Sequence, residues 1–155
     1  MSAKAASTVQ GLRPSRPIPP GAAQLLAMAR HGLLEAAMSN RPAERYASAH
    51  LAALRCAAAV LAARARPEMP GSRRSRQPRN AWSLLAQVAP ELTEWAAFFA
   101  AGAGKRAAAE AGIDRAVTIR EADDLLRDTE IFLGLIETTI GVPHQSALQL
   151  GVRAS

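Results

Sequence analysis

Residues 42–64 read PAERYASAHLAALRCAAAVLAAR, and the folding of this stretch decides the architecture. Eleven alanines fall between positions 43 and 65, and alanine loses no side-chain entropy on entering a helix. Pro42 stands where a first helical residue needs no N–H. Tyr46, His50, Ala53, Leu54, Ala57, Val60 and Leu61 recur at helical spacing and share one face. The alanines let neighbours approach closely on more than one side. The stretch is therefore expected to be the central helix of a bundle.

Working outward, a preceding helix is expected over about residues 22–38, with a stripe of Leu25, Met28, Ala29, Gly32, Leu33 and Ala36. Ser39 and Asn40 close it. Downstream, PEMPGSRRSRQP (67–78) has loop composition. A third helix carries Trp82, Leu84, Leu85 and Val88, then Leu92, Trp95, Phe98 and Phe99, with Pro90 between them to kink or restart it. Most of the large aromatics gather here, which makes this the thickest part of the core. GAGKRAAAEAG (102–112) continues helically to Gly112. The fourth helix has a capping box in TIRE (118–121), where the Thr118 and Glu121 side chains satisfy each other's backbone N–H groups. Its apolar face is Leu125, Leu126, Thr129, Phe132, Leu133 and Ile136, and Gly141 fits its C-terminal cap. These elements predict an all-α, up-down antiparallel four-helix bundle whose third helix is kinked near Pro90.

A chain of 155 residues suits one domain. Residues 1–20 are expected to be a disordered basic tail, residues 21–141 the bundle with an Arg-rich loop at 66–80, and residues 142–155 a C-terminal tail. The beginning, MSAKAASTVQGLRPSRPIPPG, lacks the apolar core of a signal peptide, and no uninterrupted run of 18 apolar residues predicts a membrane span. The single Cys56, inside an apolar run, reads as a small buried hydrophobe in a reducing, cytoplasmic setting. The net charge of +6 is segregated. Lys4, Arg13 and Arg16 give residues 1–20 a charge of +3. Arg64, Arg66, Arg73, Arg74, Arg76 and Arg79 against Glu68 give residues 64–79 a charge of +5. The remainder therefore carries −2. Basic segments of this kind contact phosphates, and without interleaved aromatics such contact is not base-specific.

Arg45 and His50 in RYASAH are the residues with the chemistry to cleave RNA without a metal. Five residues apart on one helix, they point about 140° apart, His50 toward the core face and Arg45 nearer solvent. Cleavage by the pair needs a second chain or another helix to complete it. His31, His50, His144 and Cys56 lack metal-ligand spacing, and no phosphate-cradling Gly-rich motif follows a strand. Neither a metal nor a cofactor is expected. The acids of EADD (121–124) suit the first turn of a helix.

AHLAALRCAAAVLAARARP (49–67), VAPELTEWAAFFAAGAGKRAAAEAG (88–112) and TIREADDLLRD (118–128) resemble HEPN domains (higher eukaryotes and prokaryotes nucleotide-binding), nearest a small stand-alone actinobacterial lineage. The resemblance spans about residues 22–141. It implies a four-helix bundle, frequently dimeric, and catalytic members are metal-independent ribonucleases whose Arg–polar–x(3–5)–His motif pairs across a dimer. That motif usually lies late in the domain. Here the region reads GAGKRAAAEAGIDRAVTIREADD (102–124), with Lys105, Arg106, Arg115 and Arg120 but no histidine. The one match to the spacing is Arg45 to His50, where Tyr46 follows Arg45 in place of a small polar or acidic residue.

Three functions are compatible with this pattern. The leading one is a non-catalytic HEPN module, expected to be a homodimer, contacting RNA, nucleotide or an acidic protein partner through Arg73, Arg74, Arg76 and Arg79. The second is a ribonuclease, as a toxin or stress effector, using His50 as acid/base and Arg45 to stabilise the phosphorane. The third is a purely structural protein-interaction bundle.

Overall fold

The computed structural model of the protein describes residues 17–64 and 80–141. Residues 1–16 of the expected basic tail, residues 65–79 with Arg73, Arg74, Arg76 and Arg79, and the expected C-terminal tail lie outside the described residues. Within them the chain is all-helical: α1 (Pro20–Met38), α2 (Pro42–Arg64), α3 (Ala81–Val88), α4 (Thr93–Ala101), α5 (Ala103–Glu110) and α6 (Ile119–Ile140). Short 3₁₀ turns at Pro90–Leu92 and Asp114–Ala116 precede α4 and α6.

The alanines of α2 account for its place. Ala49, Ala52, Ala53, Ala57 and Ala59 are fully buried, and α2 packs against α1, α3, α5 and α6. Gly32 of α1 backs onto Ala52, since a Cβ at Gly32 would stand 3.6 Å from that of Ala52. By length and composition α2 is apolar enough to cross a membrane, although Arg55 interrupts its apolar run. Half of that stretch is buried among its neighbours, the setting of a core helix.

The α1 stripe is turned slightly from the expected one. Leu26 is buried, whereas Leu25 is half-buried and Met28 exposed, because the buried line runs Ala22, Leu26, Ala29, Leu33, Ala36. Pro90 restarts the chain rather than bending one helix: α3 ends at Val88 and a 3₁₀ turn leads into α4. Around Phe99 the aromatic core closes, with ring centroids 5.1 Å from Trp82, 5.9 Å from Trp95 and 4.9 Å from Phe132.

Local signals set the ends of α6. Glu121 N–H donates to Thr118 Oγ1 at 3.0 Å, and Thr118 N–H donates to Glu121 Oε1 at 2.9 Å. At the other end Gly141 takes a left-handed conformation, φ 84°, which glycine adopts without a Cβ clash.

Candidate functional site

His50 lies on the core face of α2 and is 1% exposed. Its Nε2 is 2.8 Å from the carbonyl oxygen of Phe99. A carbonyl only accepts, so Nε2 carries the hydrogen and Nδ1 is left as the acceptor. That Nδ1 is buried and meets no hydrogen-bond partner among the described residues. The ring stacks on Tyr46 at 6.3 Å and meets Trp82 and Phe99 edge-on at 6.0 and 6.1 Å. Burial holds the imidazole pKa below its ordinary 6.5, against the pull of the Phe99 carbonyl; Arg106 lowers it further and Glu110 opposes. The imidazole is enclosed, already bonded and disfavoured in its charged form. Opposite it, a Cβ on Gly102 would stand 2.7 Å from Tyr46 Oη, so α5 begins against the Tyr46 ring only because residue 102 is glycine.

Arg45 faces elsewhere. Nε donates to Ala36 O at 3.1 Å, Nη2 donates to Ser39 O at 2.7 Å, and Nη1 pairs with the Asp123 carboxylate. The last turn of α1 has no basic residue of its own, so Arg45 supplies the cation that its carbonyls attract. The same guanidinium ties the starts of α2 and α6 together through Asp123. Arg45 is thus half-buried at a helix junction rather than free in solvent. On one chain the structure does not bring Arg45 and His50 to a common point.

Three of the four later bases are likewise paired with acids. Lys105 pairs with Glu121, whose carboxyl is held at about 2 by that bond and by the Thr118 backbone. Arg106 lies 3.6 Å from Glu110 and Arg120 4.0 Å from Asp124, while Arg115 is exposed. Among the described residues no group of three His, Cys, Asp or Glu side chains could hold a metal ion.

Sequence reasoning missed a pair between a half-buried base and a buried acid. Glu137 is fully buried on α6 and binds the Arg30 guanidinium of α1. Cys56 is fully buried, and its thiol pKa is pushed far up by burial, then by the Glu137 charge, with Arg30 opposing. Such a thiol is inert. Only half of the signal was readable: Glu137 lies four residues beyond Leu133 on the expected apolar face of α6, whereas Arg30 falls off the expected α1 stripe and lines up only with Leu26.

A family model for the SAV_6107-like HEPN domain matches residues 36–137. The chain belongs to this HEPN family. No curated protein and no solved structure matches it. The matched span of this HEPN domain begins at the end of α1 and includes Arg45, His50, the aromatic core and the Arg30 partner Glu137.

Proposed function

We propose that this HEPN domain is a non-catalytic binding module acting in the cytoplasm as a dimer, an up-down bundle in which α3–α5 together take the place of the third of four helices. Its ligand-contacting surface is the basic segment of Arg73, Arg74, Arg76 and Arg79, directed at the phosphates of RNA or nucleotide. One observation carries the non-catalytic reading. His50, the only histidine at motif spacing from an arginine, is 1% exposed with Nε2 bonded to the Phe99 carbonyl. A general acid/base must reach the proton it moves. Arg45, the group needed for a developing phosphorane charge, is bound to the carbonyls of Ala36 and Ser39 at the end of α1 and to Asp123. The charge segregation supports the rest: +5 over residues 64–79 suits phosphate, and a segment without aromatics has no ring to stack on a base.

The test is incubation of single-stranded and hairpin RNA with the full chain in chelator, wild type beside His50→Gln, with oligomeric mass measured on the same samples. The expected result is binding without cleavage by either protein. Metal-independent cleavage by the wild type that disappears in a folded His50→Gln variant would overturn the reading and install RYASAH as an active site. Binding that is indifferent to salt would remove the phosphate contact.

A further inference from the structure

Between α4 and α6 a shallow depression of about 350 Å³ is lined by Glu94, Trp95, Phe98 and Asp128. Trp95 is held from behind by Phe99 and Phe132, at 5.9 and 5.3 Å. Phe98 is 46% exposed, and its ring stands at 90° to that of Trp95 with centroids 6.4 Å apart. Two perpendicular rings form a corner walled by π faces, which attract a cation, and the carboxylates at its edge add full negative charge.

Among the described residues neither Glu94 nor Asp128 has an ion-pair partner. The Asp128 carboxyl is pushed above its ordinary 3.8 by burial and then by the neighbouring Asp124, against Arg127. One turn further along the same face of α6, the surface becomes apolar, with Ile131 55% and Leu135 38% exposed.

We propose that the α4–α6 face binds a basic amphipathic helix of a partner polypeptide. One lysine or arginine sits in the corner of Glu94, Trp95, Phe98 and Asp128, and apolar residues at helical spacing lie along Ile131 and Leu135. Charge selects this occupant. Carboxylates repel the phosphates of a nucleic acid, and a small cation would leave the apolar half of the strip wet. A second copy presenting the same face would set Glu94 and Asp128 against acids of its own kind. The helix-in-groove mode asks for an apolar strip with charge at one end, and α6 supplies both.

The test uses the full chain and a fluorescein-labelled peptide of roughly 15 residues, lysine and leucine placed to form an amphipathic helix, with its glutamate-for-lysine counterpart as control. The lysine peptide is expected to bind and the glutamate peptide not to. Glu94→Gln with Asp128→Asn is expected to weaken binding by about tenfold, as loss of both carboxylates around one cation would. Ile131→Ser should weaken it by a similar factor, and Glu35→Gln, an exposed acid on α1, should leave it unchanged. Undiminished binding by the folded double variant, or equal binding of both peptides, would overturn the proposal. Replacing Arg73, Arg74, Arg76 and Arg79 with glutamine is expected to leave the affinity unchanged. Tighter peptide binding in that variant would mean that the chain's own basic segment occupies the corner, which also overturns assignment to a partner.

Discussion

Burial of the His50 imidazole beside Trp82 and Phe99 disfavours its charged form, and its folded pKa lies below the ordinary 6.5. On acidification the unfolded chain therefore takes up this proton first. The contribution is complete above pH 6.5 and is lost as pH falls toward the folded pKa. Urea midpoints measured between pH 8 and pH 5 should fall less steeply for His50→Gln than for wild type. Gly102 is sensitive for a steric reason. A methyl there would stand 2.7 Å from Tyr46 Oη and 3.4 Å from His50 Cδ2, and the Tyr46 and His50 rings are themselves stacked. Gly102→Ala should destabilise by about 1–3 kcal/mol, as overpacked positions do, with part recovered in combination with Tyr46→Phe. Denaturant titration of the two singles and the double reads both. The core side of His50 was legible from its spacing to Tyr46 and Leu54. Its bond to Phe99 was not, because a contact 49 residues away in sequence leaves no periodic trace.

Among the elements, α6 was the most legible, since its start and stop are written in adjacent residues: the Thr118–Glu121 box and Gly141. Glu121 is depressed from 4.5 to about 2 by Lys105 and the Thr118 backbone. Its contribution is thus present above pH 4.5 and fades as pH falls toward 2, and Glu121→Gln should flatten a thermal-melting profile in that window. The α1–α2 junction was harder to read. Arg45 looked like a solvent-facing residue because helical spacing describes only its own element. Its partners are the carbonyls of the preceding helix and an acid of α6. Arg45→Met should destabilise by about 1–2 kcal/mol by uncapping α1 and freeing Asp123, measured by chemical denaturation. The turn of the α1 stripe from Leu25 to Leu26 has the same origin: two leucines in succession let spacing alone favour either, and packing against α2 decides.

At the scale of the molecule the charges separate into a basic segment over 64–79 and an acidic, partly apolar face between α4 and α6. The first was legible as composition. The second was not, because Trp95 and Phe98 read as core until the fold left Phe98 46% exposed beside Asp128. If the basic segment contacts RNA, the slope of log affinity against log salt should become shallower by up to about 3 when Arg73, Arg74, Arg76 and Arg79 become glutamine, since each single-strand phosphate left without its cation accounts for about 0.7. Filter binding over a range of salt concentrations measures it. Whether this domain binds or cleaves turns on His50 being a packing residue and not an acid/base. Nitrogen-15 NMR of histidine-labelled protein across a pH titration tests that most directly. The predicted result is a His50 ring protonated at Nε2 alone, whose signals do not titrate through pH 6.5 while the fold persists. A His50 that titrates there like a solvent-accessible imidazole would contradict it.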